Sequence, residues 1–213
     1  MKTFSLISTI LCASMMVCAQ SIIYESATLG PVGLGAGSGL ALSYHLLGSR
    51  FHLDTPVQVD AVGGDIWGSG SLFAAIVSVN GPSALPSGSP FDSTTIATTT
   101  FSPPSVAADI TIPLSTFLAP GEYALIFGSQ HFGATGSGVM PFSNYDLPGS
   151  IPYIDWDYTV QQWANMTGTH VDGLRFVVYG DVVPEPNVGA LLAMGIAALL
   201  TRRQVHIMST YNR

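Results

Sequence analysis

The sequence predicts an all-β fold, and the regular spacing of its turn residues is the first reason. Gly, Pro, Ser and Thr interrupt the hydrophobic pattern about every ten residues, which is typical of a β-sandwich or barrel. Residues 57–62 alternate apolar and polar side chains, as a strand does when one face meets a core and the other meets water. Residues 72–79 and 123–127 are almost continuously apolar, as expected of central strands covered on both faces.

We therefore expect two antiparallel sheets in a jelly-roll-like β-sandwich that spans residues 20–181. The main predicted strands are Ala41–Leu53, Val57–Ile66, Leu72–Val79, Thr94–Phe101, Ala107–Ile112, Glu122–Phe127, Tyr153–Tyr158 and Leu174–Tyr179. The pair Pro120-Gly121 predicts a type II turn before the strand that contains Tyr123. The glycines at 133, 136 and 138 indicate another turn, and no long helix is expected between the two ends of the chain.

Residues 1–19 have the pattern of a secretory signal peptide. Lys2 precedes an apolar run from Phe4 to Val17, and small residues then lead to a cleavage site between Ala19 and Gln20. The run, about 14 residues long, predicts a helix shorter than the roughly 20 residues that a membrane span needs. An uncleaved membrane anchor is the alternative interpretation of this segment.

The carboxyl-terminal segment, residues 182–203, combines three elements in a fixed order. These are the motif Pro184-Glu185-Pro186, the apolar run Val188–Leu200 and the basic pair Arg202-Arg203. The prolines favour an extended backbone that a processing enzyme can reach. The apolar run predicts a short transmembrane helix, and the arginines would hold its far end at the cytoplasmic face. A polar tail, Gln204–Arg213, follows, and a simple tail anchor is the alternative.

This order of elements resembles the PEP-CTERM protein-sorting signal of Gram-negative bacteria. The resemblance covers residues 183–203 and implies recognition by an exosortase, a membrane cysteine protease, through Pro184, Glu185 and Pro186. It implies transient anchoring by the terminal helix, followed by cleavage and display at the cell surface or in the extracellular matrix. Segments at 71–82, 118–129 and 132–138 also resemble exported domains found upstream of such signals, which implies the architecture but no activity.

The charge distribution excludes one large class of partners. The chain has a net charge of −7, and residues 20–181 hold two arginines against twelve carboxylates, a charge of −10. Nucleic-acid binding draws its affinity from Lys and Arg that neutralise phosphates, so we expect no nucleic-acid partner. Charged residues make up only 9% of the chain and the mean hydropathy is +0.43, which agrees with membrane-directed ends.

The sequence contains little that predicts catalysis. The only cysteines, Cys12 and Cys18, lie within the predicted signal peptide, so the mature chain would have no thiolate nucleophile or disulfide. The five histidines lack the spacing of a zinc site, and no Gly-x-Ser-x-Gly motif occurs. We expect a protein that is not an enzyme and has no bound cofactor.

One strand, however, carries candidate ligand-binding residues. Asp155 and Asp157 would project from the same face of a strand, where they could bind Ca²⁺ or act as a glycosidase pair, although a solvated face is the plainer interpretation. Five aromatic residues could form a platform for stacking sugars, although aromatic side chains in a sandwich more often belong to the core: Trp67, Trp156, Trp163, Tyr153 and Tyr158.

Together these observations predict an exported protein with a structural or adhesive role in an exopolysaccharide matrix. A carbohydrate-binding module is one alternative, and it would need exposed, coplanar tryptophans. A surface hydrolase is the other, and it would need convergent carboxylates or a serine beside a histidine.

Overall fold

A computed structural model of the chain describes residues 21–31, 39–91, 93–148, 153–166 and 173–184. Within these ranges the chain forms fourteen strands, all strand pairs are antiparallel, and none of the residues is helical. The described part of the chain contains no helix long and apolar enough to cross a membrane. The helices predicted before residue 20 and over Val188–Leu200 lie outside the described residues.

The first sheet has six strands: β1 (Ser21–Glu25), β3 (Gly39–Ala41), β5 (Val57–Ser69), β8 (Ala108–Leu118), β10 (Ser137–Pro141) and β14 (Phe176–Val182). The long strand β5 lies at its centre, because it pairs with β14, β8 and β10. The first strand of the domain, β1, pairs with the last, β14. A separate two-stranded sheet pairs β2 (Ala27–Thr28) with β11 (Tyr145–Asp146).

The second sheet also has six strands: β4 (His45–Leu53), β6 (Leu72–Ser78), β7 (Thr95–Phe101), β9 (Gly121–Gly128), β12 (Ile154–Asp157) and β13 (Gln162–Asn165). Their order across the sheet is β13-β12-β4-β9-β6-β7. The two sheets share one hydrophobic core, in which Phe127 of the second sheet stacks on Phe176 of the first with ring centroids 5.7 Å apart. This arrangement is consistent with a β-sandwich.

A second core covers the outer face of the second sheet. Along β9, Leu125 and Phe127 point into the shared core, whereas Ala124 and Ile126 point into the second core. Residues 79–94 connect β6 to β7 and bring Leu85 and Phe91 against this outer face. The prediction that residues 72–79 and 123–127 form strands covered on both faces is therefore confirmed.

The two ends of the domain are distinct. At the terminal end, Ser21 opposes Gly180 across the β1–β14 pair, so the described chain enters and leaves the domain side by side. The opposite, distal end contains the first residue of β4, His45, together with the last residues of β9 and β12. The nine residues of β4 put about 30 Å between the two ends, at roughly 3.3 Å per residue.

Two turns differ from their prediction. Gly121 does not have a positive φ and is the first residue of β9, so the type II turn is wrong. Here the chain crosses from one sheet to the other, and the Tyr123 hydroxyl braces the crossing by donating to the Ala119 carbonyl oxygen at 2.7 Å. Gly138 lies in β10 rather than in a turn, where it pairs with Gly68 of β5, and a Cβ there would come within 2.6 Å of the Leu72 side chain.

The second core predicts a large difference between two isoleucines. Ile126 is fully buried in the second core, whereas Ile96 on the edge strand β7 is 41% exposed. We expect Ile126→Ala to lower the free energy of unfolding by about 2–5 kcal/mol, through lost burial and a residual cavity. The matched control Ile96→Ala should change it by less than about 1 kcal/mol, as surface substitutions do. Equilibrium urea unfolding measures both, and equal effects would contradict the two-core arrangement.

Candidate functional site

The structure gives Asp155 and Asp157 different surroundings, although both lie on β12. Asp155 is buried, and each of its carboxylate oxygens lies 3.0 Å from Nδ1 of His45. Burial raises the pKa of Asp155 more than the neighbouring His45 lowers it. Asp157 instead accepts a hydrogen bond from the backbone N–H of Thr159 at 2.6 Å, which lowers its pKa. The expected solvated face is therefore wrong for Asp155.

His45 is the residue of this group that sequence reasoning missed. It opens β4, opposes Asp157 across the strand pair, and is separated from Asp155 by 110 positions. No local pattern signals a contact between residues so far apart in the sequence. The contact depends on the register of β4 and β12. The carboxylate fixes the orientation of the imidazole and leaves Nε2 on the other side of the ring. Among the described residues, no group of three or more His, Cys, Asp or Glu side chains could hold a metal ion.

The tryptophans do not form the predicted platform. Trp156 is 3% exposed and Trp163 is 9% exposed, and their ring planes are inclined by 60°. The indole N–H of Trp163 donates to the Pro90 carbonyl oxygen at 2.9 Å, which ties residues 79–94 to the second core. Trp67 lies on β5 in the other sheet and is half-buried. Trp156 and Trp163 are therefore core residues, which is the interpretation that the sequence favoured over sugar stacking.

A different aromatic surface lies at the distal end of the second sheet. We define the distal aromatic patch as Tyr44, His131, Phe132 and Tyr158. Tyr44 is 71% exposed and Phe132 is 41% exposed, whereas the other two rings are half-buried. The His131 and Tyr158 rings stack at 5.9 Å with their planes only 9° apart. This surface continues the second core outward, because Phe132 also contacts the buried ring of Phe73 at 5.1 Å.

Hydrogen bonds join the segments that carry the patch. The backbone N–H of Tyr158 donates to the Tyr44 carbonyl oxygen at 3.3 Å, and the Tyr158 hydroxyl donates to the Ser129 carbonyl oxygen at 2.7 Å. The side-chain amide of Gln130 donates to the carbonyl oxygen of Ser43 at 2.8 Å. These hydrogen bonds hold together three chain segments, which follow β3, β9 and β12, at the distal end.

The patch is electrically neutral near pH 7. Burial raises the pKa of Tyr158 to about 12 and lowers the pKa of His131, so both rings are uncharged. The only lysine or arginine residues between 21 and 184 are Arg50 and Arg175. Arg175 lies in the first sheet region, where it pairs with Glu25 and with both carboxylate oxygens of Asp109, at 3.0 and 3.2 Å.

A cluster of buried polar side chains lies near Arg175. Asp65 is fully buried on β5, where Nδ2 of Asn144 donates to Oδ2 at 3.3 Å. Oδ1 of Asp65 has no hydrogen-bond partner among the described residues. Burial raises the pKa of Asp65, because the ionised carboxylate loses its hydration.

The predicted sorting residues lie at or beyond the edge of the described chain. Pro184 is exposed and follows Val183, whose backbone N–H donates to the Pro56 carbonyl oxygen at 2.9 Å. The other predicted processing and anchoring residues lie outside the described residues: Ala19, Gln20, Glu185, Pro186, Arg202 and Arg203.

The buried Asp65 predicts a pH-dependent cost to stability. Because its pKa is higher in the folded state than in the unfolded state, its contribution to stability is greatest below the unfolded pKa and is lost as the pH rises through the folded pKa. Asp65→Asn cannot ionise, so its free energy of unfolding relative to the wild type should increase between about pH 3 and pH 7. Urea unfolding across this range measures the difference. Exposed Asp181→Asn is the control, and a difference that is constant with pH would contradict the assignment.

Comparison with known proteins gives no assignment of family. No protein-family model matches the chain. No curated protein and no solved structure shows a significant match either.

Proposed function

We propose that this chain is an exported protein, sorted through a PEP-CTERM-type signal, with a structural or adhesive role in an exopolysaccharide matrix. An exosortase would recognise Pro184, Glu185 and Pro186, after the apolar run Val188–Leu200 has anchored the precursor in the membrane. Cleavage would leave the domain at the cell surface or in the extracellular matrix. The proposal assigns the domain no catalytic activity and no cofactor.

The observation that carries this proposal is the position of the domain between the two processing signals. The first strand begins at Ser21, directly after the predicted cleavage between Ala19 and Gln20. The last strand ends at Val182, two residues before Pro184. Cleavage at both signals would therefore remove the hydrophobic ends and leave every strand of both sheets intact.

The terminal end of the domain also suits a tethered precursor. Because Ser21 opposes Gly180, a signal peptide and a terminal helix would both leave the domain at the same end. Both could enter one bilayer while the distal end faces away from it. The all-antiparallel pairing supports the further proposal that the sandwich is jelly-roll-like.

The carbohydrate-binding alternative has a specific observation in its favour, although the surface concerned shares only Tyr158 with the predicted aromatic platform. The distal aromatic patch exposes Tyr44 and Phe132 at the end of the domain that faces away from the tether. An adhesive matrix protein and a carbohydrate-binding module would both need such an exposed aromatic surface to contact sugars.

The proposed processing can be tested by mass. In a host with an exosortase, intact-mass measurement of the released protein should give a chain that begins near Gln20 and ends near Pro184–Pro186. Glu185→Ala should reduce release, because it removes the charged centre of the motif, whereas Asp181→Ala is a matched control outside it. Released protein that retains Arg202 and Arg203 would contradict exosortase processing.

The pair Arg202-Arg203 leads to a prediction about membrane anchoring. Arg202→Glu with Arg203→Glu should impair membrane retention and processing, because positive charge holds the far end of the helix on the cytoplasmic side. Arg213→Glu changes the charge of the tail away from the helix and should have little effect. Membrane fractionation measures retention, and unchanged retention of the double variant would argue against this topology.

A further inference from the structure

The distal aromatic patch is held in shape by its own backbone. Gln130 and Phe132 both have positive φ, at 63° and 52°, a region that residues other than Gly rarely adopt. The turn is closed by the backbone N–H of Gln130, which donates to the Ala134 carbonyl oxygen at 2.9 Å. Such strain persists only where the surroundings enforce it, and here it presents a large aromatic side chain at the surface.

The buried side of the Phe132 ring is fixed by other rings. Its centroid lies 5.1 Å from that of Phe73 and 5.4 Å from that of Phe91. The exposed remainder of the ring is therefore pre-oriented, and a ligand that stacks on it would order few side chains. A flat apolar ring that is immobilised in this way complements the C–H face of a pyranose.

Two polar side chains at the same end of the sheet, His45 and Asp157, lie on the face opposite that of Trp156 and Tyr158. His45 follows Tyr44 in the chain and Asp157 precedes Tyr158, and His45 and Asp157 are cross-strand partners. Both are partly exposed, and Asp155 fixes the imidazole of His45 through Nδ1. This pair is therefore not part of the distal aromatic patch, and the proposed binding depends on the aromatic rings.

The charge of the patch and of the domain restricts which class of polysaccharide can bind. The patch contains no Lys or Arg, its His131 is neutral near pH 7, and residues 20–181 carry a charge of −10. A uronate or sulfate polymer would meet repulsion without a compensating cation, whereas an uncharged polymer would not.

From this geometry we propose that the distal aromatic patch binds a neutral polysaccharide, with Tyr44 and Phe132 stacking on its sugar rings. The placement of this site away from the membrane rests on the proposed sorting, whereas the binding itself does not. The protein would then link the cell surface, or other copies of the matrix, to an uncharged glycan.

Affinity electrophoresis of the full-length chain in nonionic detergent tests the proposal. The gels contain galactomannan, xyloglucan, mixed-linkage β-glucan or dextran as neutral probes, and alginate as the anionic probe. We expect retardation by at least one neutral polymer and none by alginate. Tyr44→Ala with Phe132→Ala should weaken the binding by about tenfold or more, as expected when two stacking rings are removed.

The matched control is Phe117→Ala with Tyr145→Ala, which removes two aromatic side chains that are 56% and 62% exposed elsewhere. It should bind as the wild type does. Tyr44→Ala alone removes a 71% exposed ring and keeps the fold, so it must also weaken the binding. Circular dichroism checks folding of each variant.

Three results would overturn the proposal: retardation by no neutral polymer, retardation by alginate alone, or equal loss of binding in the control variant. None of them affects the mass of the released protein, which tests the sorting. Conversely, a retained tail with intact binding to a neutral polymer would refute the sorting and leave the binding site standing.

Discussion

The central strands of the second sheet, β6 and β9, are buried on both faces. A sheet in a two-layer sandwich needs only one apolar face, but β6 and β9 are apolar on both. The outer face must therefore be covered, and residues 79–94 cover it with Leu85 and Phe91. The same cover places Phe91 beside Phe132, so the exposed patch depends on the second core.

The long strands could be predicted from the sequence because each is defined by its own periodicity and its own turns. The short strands could not, since β10 and β13 form only where a neighbouring strand supplies hydrogen bonds. In β10, Gly138 looks like a turn residue in isolation, yet it lies in the strand, paired with Gly68, and the nearby Leu72 side chain favours a residue without a Cβ. Close approach between segments distant in sequence leaves no local signal.

The candidate site was harder to predict than the fold for a related reason. Trp163 and Tyr44 are both aromatic residues next to polar neighbours, and only the tertiary structure buries the first and exposes the second. The pairing of His45 with Asp155 depends on a register between strands 110 residues apart. The carboxylate pair at 155 and 157 was recognised, but the imidazole that determines its chemistry was not.

The direction of the chain within the sheets relates the proposed sorting to the proposed adhesion, because it sets where the two ends of the domain lie relative to the distal aromatic patch. An antiparallel pairing of the first and last strands places both ends of the domain together, and the strand length then fixes the distance to the opposite end. In the proposed tethered precursor, a surface at that opposite end would lie about 30 Å from the bilayer without any linker. Because the acidic domain would be repelled by anionic lipid headgroups, its charge favours the same outward orientation. Under the proposed sorting, the aromatic and neutral distal patch would be the part of the protein that first meets the surrounding matrix.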